Sequence, residues 1–445
     1  MIKVISLSIL FISSNLIFAQ INAKKCITNR ISLEAINNDT EYEEMRKNLI
    51  NYHQENKNKN LKNQTEITIP VVIHIVHRAV HSNIGSGTNI SNEQIEDQLR
   101  ILNEDFSKTN SEFPNPPRNS FINYAANPGI KFCLASIDPN GNPTTGITRT
   151  ATSRTSFDAD DNIDADAMKK TSSGGINNWD PLRYLNIWVV NLSNSSGGGQ
   201  TLGYAYLPGL QASNQSWRDG LVVDYQHFGS IDAANSSDGR TSTHEIGHYL
   251  GLSHTFCENG GGCCDNDNNS WFGLNVDDTP ATDDVYFGSV NSSTNNNTCN
   301  DLNYGFSGDL LDMDENFMSY ASNTWMFSNG QVDVMLIVLN ATTNQGGRKN
   351  LWNNSNVTVN CVPTSTNDII TNHNVTIYPN PTQGDLFINS FEKVISITLC
   401  NPLGKVIKKT TNQEALSLKK LDNGVYIIHI KTEKGTITKK IILSK

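Results

Sequence analysis

The stretch HEIGHYLGLSH at 244–254 concentrates three histidines and a glutamate in a chain that has only 10 histidines. Residues four apart lie on the same face of a helix, so His244 and His248 would hold their imidazoles side by side. Gly251 follows at a point where a left-handed turn can end the helix without a Cβ penalty. The chain can then turn back and bring His254 to the same point. The spacing therefore predicts three imidazoles around one ion.

The chemistry that this arrangement favours is that of a catalytic zinc site. Three neutral imidazoles bind zinc and leave one position open for water, as catalytic rather than structural zinc sites do. Glu245, next to the first histidine, is placed to act as a general base on that water. The alternative is an amphipathic helix with unrelated polar residues. The full H-E-x-x-H-x-x-G-x-x-H pattern is much more specific than H-E-x-x-H alone, and it favours zinc.

Composition and the N-terminal residues indicate an exported protein. The 445 residues carry a net charge of −10, which argues against a nucleic-acid partner held by its phosphates. Residues 1–19 combine Lys3, an apolar run and a small residue before Gln20, as in a secretory signal peptide. No other run is apolar over the length of a transmembrane helix, so no membrane span is expected. Export permits disulfides.

The middle of the chain has the pattern of an enzyme domain behind a pro-segment. Residues 20–65 are polar and mixed in charge, nothing in them alternates cleanly, and they are interpreted as a pro-segment. Residues 66–361 are interpreted as the catalytic domain. The β-branched run at 67–78 predicts a strand buried on both faces, and Ser91 with Gln94 three residues on predicts the start of a helix. Further strands are predicted at 129–136, 185–192, 203–209 and 220–228, with a helix near 164–170. This order predicts an α/β (α+β) domain with a mixed twisted sheet and the histidine helix after its last strand.

The sequence changes character again after residue 361. Residues 362–373 read as a linker. Residues 374–445 form short alternating stretches separated by Pro-Asn-Pro, Gly and Asn-Gly turns. That pattern predicts a small all-β, Ig-like sandwich at the C-terminus.

Four cysteines cluster just after the histidine motif, at 257, 263, 264 and 299. In an exported chain they favour a disulfide-stapled loop over a second, structural zinc site. Adjacent Cys263 and Cys264 seldom bond each other, so each is expected to take one of Cys257 and Cys299.

With ENFMSYA at 315–321, the extended histidine motif resembles the metzincin zinc endopeptidases, which carry a methionine turn beneath the metal. Thr255 after the third histidine, VDDTPATD at 276–283 and MFSNGQVDVM at 326–335 narrow the resemblance to the pappalysin family. The resemblance covers roughly residues 66–345.

The resemblance implies a role for each residue of the motif. His244, His248 and His254 would bind zinc, and Glu245 would be the general base. Met318 would form the hydrophobic base of the site, and Tyr320 would stabilise the tetrahedral oxyanion. The stretch at 203–209 would be the edge strand to which an extended substrate pairs. Family members that prefer arginine carry acidic residues just beyond the methionine turn, and ASNTW at 321–325 has none, so arginine preference is not expected.

Three accessory features follow from the same resemblance. Calcium, which prefers oxygen ligands, would bind the loop after the zinc helix through Asp265, Asp267, Asp277, Asp278 and Thr279, the alternative being a merely solvated acidic loop. The disulfides would be Cys264–Cys299 and Cys257–Cys263. Cys26 in the pro-segment would be a latency switch whose thiolate occupies the open zinc position, the alternative being an unpaired or structurally paired cysteine.

The C-terminal stretches YPNP at 378–381, GDLFI and GVYIIHI resemble the sorting domain of type IX secretion substrates. That resemblance implies the type IX secretion machinery as a partner and a secreted or cell-surface location. The competing interpretation is an adhesion or carbohydrate-binding module. The sequence as a whole predicts a secreted zinc endopeptidase that is made as a zymogen and acts on proteins or peptides. The alternative is a catalytically silent zinc-fold binding protein.

Overall fold

The computed structural model describes residues 26–57, 59, 66–196, 199–257, 262–263, 274, 276–283, 285–354, 375–390, 393–401, 406–411, 415–432 and 436–445. The chain divides into two compact units, Met1–Val362 and Pro363–Lys445. The predicted signal peptide and linker lie outside the described residues.

Two helices form the described part of the predicted pro-segment, where the sequence showed no clear pattern. They are α1 (Thr28–Asn38) and α2 (Thr40–Asn56). The Asp39 side chain caps the N-terminus of α2, where it accepts hydrogen bonds from two backbone N–H groups of the first turn. Each helix buries a narrow row of residues at helical spacing, Ile31 and Ala35 in α1, Tyr42 and Leu49 in α2. These rows pack against the enzyme domain.

A mixed sheet forms the centre of the first unit. After α2, the strands and long helices of this unit are β1 (Ile67–Arg78), α3 (Asn92–Asp105), β2 (Ile130–Leu134), β3 (Ile147–Thr152), β4 (Phe157–Asp158), β5 (Leu185–Val190), β6 (Leu192–Ser193), β7 (Gly203–Ala205), β8 (Leu221–Asp224), α4 (Arg240–Tyr249) and α5 (Asn329–Asn340). β4 and β6 form a separate parallel pair, and the other six strands form the mixed sheet. The strand order is β2-β1-β5-β8-β7, with β3 paired to the C-terminal half of β1. All these pairs are parallel except β7 with β8, so β7 is an antiparallel edge strand. The predicted mixed sheet is confirmed.

Both faces of this sheet are covered, as the β-branched sequence of β1 predicts. On one face, Ile69, Ile73 and Ile75 pack into a cluster that includes side chains of α3, α4 and α5. On the other face, Trp188 and Val222 belong to a cluster completed by α1. The predicted pro-segment therefore supplies part of the hydrophobic core.

Two local features predicted from the sequence, a helix cap and a short helix, are present in the structure with small differences. Ser91 caps α3 by accepting a hydrogen bond from the Gln94 N–H at 2.9 Å. The helix predicted near 164–170 is a short 3-10 helix, Asp164–Lys169. Within the described residues, no helix combines the length and apolarity that a bilayer crossing requires.

The second unit consists of two antiparallel sheets. Its strands are β9 (Val375–Tyr378), β10 (Asp385–Ser390), β11 (Val394–Cys400), β12 (Val406–Thr410), β13 (Ala415–Ser417), β14 (Gly424–Thr432) and β15 (Thr436–Leu443). One sheet has the order β13-β10-β9 and the other β12-β11-β14-β15. Leu386, Leu399 and Ile428 are fully buried in a shared core. The predicted all-β sandwich is confirmed.

Candidate active site

The helix α4 carries the first two histidines and ends where the motif predicts. Gly251 adopts a φ of +96°, a conformation that favours glycine. Its N–H donates to the His248 carbonyl at 2.9 Å, and the Leu252 N–H donates to the Gly247 carbonyl at 3.0 Å. This Schellman-type ending reverses the chain and brings His254 back to the helix.

The three histidines converge on one point. Their Nε2 atoms lie 3.0 Å (His244 to His254), 3.1 Å (His248 to His244) and 3.1 Å (His248 to His254) apart. Three nitrogens so spaced can all reach one zinc ion, since Zn–N bonds are about 2.0–2.1 Å.

Two backbone carbonyls orient these rings for metal binding. His244 Nδ1 lies 2.7 Å from the Phe317 carbonyl oxygen, and His248 Nδ1 lies 2.8 Å from that of Leu252. Each Nδ1 must therefore carry the proton, which leaves each Nε2 with a free lone pair. Burial lowers the pKa of His248 to about 4, so its ring is neutral at pH 7. Neutral imidazoles with lone pairs directed at one point fit a divalent cation.

The predicted methionine turn lies directly beneath the histidines. A Cβ on Gly247 would stand 2.3 Å from Met318 Sδ, so the glycine in the motif is what lets the methionine approach the helix. The Met318 carbonyl accepts a hydrogen bond from Thr255 N–H at 3.2 Å. The ring of Tyr320 is buried, with centroids 5.6 Å from His244 and 5.1 Å from His254.

Glu245 points into the same space and is hydrogen-bonded by two residues of the predicted pro-segment. Its Oε2 accepts a hydrogen bond from Thr28 Oγ1 at 3.1 Å and one from the Cys26 thiol at 3.4 Å. Burial raises the pKa of Glu245 to about 8, while the bonds from Cys26 and Thr28 act in the opposite direction.

Cys26 lies at the histidine cluster. Within the described residues, one group of side chains is arranged to hold a metal ion: Cys26, His244, His248 and His254, whose ligand atoms all lie within 4.8 Å of one another. Cys26 is not in a disulfide. Its backbone forms a parallel bridge with Gly203 at the start of the edge strand β7. Burial, and then the charge of Glu245, raise the pKa of this thiol; a cation at the cluster would lower it.

The N-terminal end of α4 is held by charged residues that sequence reasoning missed. Arg240 forms two bonds to the Glu112 carboxylate, at 3.0 and 2.7 Å. Thr243 Oγ1 donates to Asp105 Oδ2 at 2.7 Å. Asp105 and Glu112 are more than 125 positions away in the chain, and no local pattern in the sequence connects them with the helix.

An open cavity of about 330 Å³ adjoins Glu245. Its other lining residues come from the start of the described chain, from the residue before β7, from the loop before α4, from α4 itself and from the methionine turn with the residues that follow it: Cys26, Leu202, His227, Ser236, Ser237, Asp238, Arg240, Thr241, His244, Phe317, Ser319, Tyr320, Ala321, Ser322 and Thr324. Asp238, in the loop between β8 and α4, places a second carboxylate in this lining beside that of Glu245.

Among the described residues, those predicted to bind calcium do not form a cation site. Asp278 accepts hydrogen bonds from Ser328 Oγ at 2.6 Å and Gly330 N–H at 2.8 Å, and so caps α5. Asp277 is mainly exposed and lies 3.9 Å from Lys57 of the pro-segment. Thr279 is buried. Asp265 and Asp267 lie outside the described residues, so calcium binding stays a prediction.

The predicted disulfide pairing is wrong. Cys263 is bonded to Cys299, with their Cα atoms 5.7 Å apart, which excludes both Cys264–Cys299 and Cys257–Cys263. The choice between two adjacent cysteines depends on which side chain faces the partner. Here the Cys263 segment is turned that way, its carbonyl accepting a 2.8 Å bond from Tyr304 Oη. Cys133 and Cys257 are also disulfide-bonded.

Comparisons with known proteins agree with this geometry. Residues 170–340 match a peptidase family described as pregnancy-associated plasma protein-A, and residues 376–444 match the secretion system C-terminal sorting domain. The structure of mirolysin in complex with compound 9 is 37% identical, with a TM-score of 0.53, over 65% of this chain and 97% of that chain. Promirolysin from Tannerella forsythia is 34% identical, with a TM-score of 0.55, over 69% of this chain and 89% of that chain. An extracellular metalloprotease of Arthroderma benhamiae is 26% identical over 215 residues, which are 48% of this chain and 55% of that protein. The chain thus spans about half the length of that curated relative.

The fold and the histidine site define a metalloprotease of the metzincin class, for which zinc is the metal. Within that class the chain belongs to the pappalysin family, and its C-terminal unit is a secretion sorting domain. The sorting domain and the extracellular relatives assign it to the cell surface or the medium.

Proposed function

We propose that the chain is a secreted zinc endopeptidase that cleaves protein or peptide substrates and is made as a zymogen. The observation that carries the proposal is the convergence of three histidine Nε2 atoms within 3.1 Å of one another, with the Glu245 carboxylate beside them. His244, His248 and His254 would hold the metal. Zinc bound there would polarise the scissile carbonyl and lower the pKa of a water molecule towards neutrality, so that the water can lose a proton and act as the nucleophile.

The residues around the metal would carry the proton transfers. Glu245 would take the proton of the attacking water and pass it to the leaving amine. Its place on α4, one residue from His244, keeps it within reach of the reacting centre. Burial raises the pKa of Tyr320, so its phenol stays protonated and can donate a hydrogen bond to the oxyanion. Met318 would support the histidines from below.

Substrate binding would use the edge strand β7. Its inner side pairs with β8. Its outer side would pair with an extended peptide once residues 26–28 have left it. In the zymogen, residues 26–28 take this place: Cys26 bridges Gly203, and Thr28 Oγ1 accepts from the Ala205 N–H at 2.9 Å. A peptide and the pro-segment would compete for the same strand.

Latency would follow from these contacts. The Cys26 thiolate would fill the open metal position, and the hydrogen bond from Thr28 would keep the Glu245 carboxylate from binding a water molecule. The similarity to promirolysin supports a pro-form of this kind. The type IX secretion machinery would be the partner of the sorting domain.

The experiment that tests catalysis compares casein cleavage by the processed protein with that by Glu245→Gln, with and without a chelator. We expect the wild-type activity to be lost in the variant and with chelator. Activity that persists in Glu245→Gln would refute the general-base role. No activity in any form would favour the silent binding protein.

The matching test of latency is Cys26→Ala, which should begin self-processing earlier than the wild-type chain. Self-processing at an unchanged rate would remove the proposed switch.

A further inference from the structure

A fully buried ion pair lies against the C-terminal end of the zinc helix. Arg348 Nη1 and Nη2 donate to the two carboxylate oxygens of Asp219 at 2.9 and 2.8 Å. The side chains are 0% and 1% exposed. The third donor, Arg348 Nε, binds the Tyr249 backbone carbonyl at 2.8 Å, and the guanidinium carbon lies 3.3 Å from the centroid of the Tyr249 ring. Tyr249 is the last residue of α4.

Such a pair is poorly explained by stability alone. Removing both charges from water costs several kcal/mol per ion by order of magnitude, which their attraction only offsets when the geometry is good. A hydrophobic pair of similar volume often does as well. What a hydrophobic pair cannot do is donate to the last carbonyl of a helix.

The end of α4 is where the metal ligands are oriented. The final carbonyls of a helix lack partners within it and carry the negative end of its dipole, so an arginine placed there satisfies both. One residue before Tyr249 is His248, whose Nδ1 is bound by the Leu252 carbonyl at 2.8 Å. Leu252 is in turn placed by its N–H bond to Gly247. The same four-residue turn sends the chain back towards His254.

Arg348 is itself held from a different part of the fold. It follows α5, and its N–H donates to the Val338 carbonyl at 2.8 Å. Gln211 Nε2 binds the carbonyls of Gly346 and Gly347, at 3.2 and 2.9 Å. A Cβ at Gly347 would come within 2.2 Å of the Ala341 Cβ, so the close packing of this segment requires glycine. The guanidinium therefore approaches α4 from a rigid support.

We propose that Arg348 is a positioning residue for the zinc site. By binding the Tyr249 carbonyl it fixes the last turn of α4, and through that turn the Leu252 carbonyl that orients His248. Asp219 keeps the guanidinium aimed at the helix. The inference rests on the proposed zinc-binding function.

The test measures zinc affinity in the full-length chain by competition with a chromogenic chelator. Arg348→Lys keeps the charge but loses the planar fork and the stacking. Asp219→Asn is nearly isosteric and is the milder variant, for use if Arg348→Lys folds poorly. The control is Arg149→Lys. Arg149 also donates to a backbone carbonyl next to a helix, that of Ile90 just before α3, at 2.8 Å, and its other partners are the side chains of Asn89 and Asn92.

We expect Arg348→Lys to bind zinc about tenfold more weakly, in the range found for residues that support metal ligands. Asp219→Asn should show a smaller loss, and Arg149→Lys should keep the wild-type affinity even though its melting temperature falls. A readout in the same samples is amide exchange at Leu252, which should be faster in the Arg348 and Asp219 variants only.

Wild-type zinc affinity in both Arg348→Lys and Asp219→Asn would overturn the inference. So would an equal loss in Arg149→Lys, because the effect would then be one of general stability. Failure of the proposed function has a different signature: the wild-type chain itself would not bind one zinc ion.

Discussion

The predicted pro-segment is anchored by its own buried side chains, so cutting the chain after α2 should not by itself release it. Ile31, Ile36, Tyr42 and Leu49 are at most 4% exposed, and Tyr42 Oη donates to the Leu207 carbonyl at 2.8 Å. Full burial of such side chains stabilises by roughly 1.5–3 kcal/mol each. A protein nicked within 58–65 should therefore gain activity only slowly.

Leu49→Ala is the perturbation that measures this anchoring. Leu49 is 0% exposed and belongs to the main core cluster. Truncating a buried leucine costs about 2–5 kcal/mol. At about 1.4 kcal/mol for each factor of ten, the cleaved pro-segment should bind roughly 30- to 4000-fold more weakly. Leu33→Ala is the matched control, since Leu33 lies on α1 but is 37% exposed.

The assay uses a specific protease site introduced within 58–65. After cleavage, peptidase activity is followed with time and dilution, and retention of the pro-segment is measured by gel filtration. We expect slow activation in the wild-type and Leu33→Ala proteins and fast activation in Leu49→Ala. Equal rates in the two leucine variants, or immediate activity of the nicked wild type, would refute the reasoning.

Three further predictions follow from the site and its supports. Gly247→Ala should lower the melting temperature, because the new Cβ would lie 2.3 Å from Met318 Sδ and overpacking costs about 1–3 kcal/mol; an unchanged or higher melting temperature contradicts this. Burial raises the pKa of Asp105 to about 6 in the folded state. This carboxyl therefore contributes most to stability below about pH 4, where it is protonated, and the contribution is lost as the pH rises through 6. Asp105→Asn should remove up to about 3 kcal/mol of that pH dependence in urea unfolding, and an unaltered profile between pH 4 and 7 would argue against it. Cys299→Ser opens a loop with a sequence separation of 36 residues and should destabilise by about 4 kcal/mol, whereas a wild-type unfolding midpoint would mean that the bond to Cys263 contributes little.

The parts of the site that could be predicted from the sequence are those that local geometry determines. The positions of His244 and His248 follow from helical spacing, and that of His254 from the glycine turn between them. The strand at β1 and the cap at Ser91 are likewise local signals. Met318 came from resemblance rather than from geometry, since nothing in its own neighbourhood predicts what it packs against.

The parts that were missed depend on contacts between distant segments. Arg348 and Asp219 are separated by 129 positions, and only the folded chain shows that they meet at α4. The pairing of Cys263 rather than Cys264 depends on the path of a loop. The helices α1 and α2 were missed because their apolar rows are sparse among charged residues. Such helices draw their stability from tertiary burial rather than from their own propensity.

The contacts of the predicted pro-segment fall into two groups: those that would block the active site and those that would anchor the segment. Blocking involves residues 26–28: Cys26 at the histidine cluster and on the edge of β7, and Thr28 at the Glu245 carboxylate. These contacts are few and polar, so they cover the reacting groups without contributing much apolar burial. Anchoring involves α1 and α2, whose buried rows lie in the core clusters of the enzyme domain. A short polar blocking segment alone would dissociate readily, and two anchored helices alone would leave the metal position open. The proposed latency would therefore need both, because the helices would raise the effective concentration of Cys26 at a site that it would otherwise hold weakly.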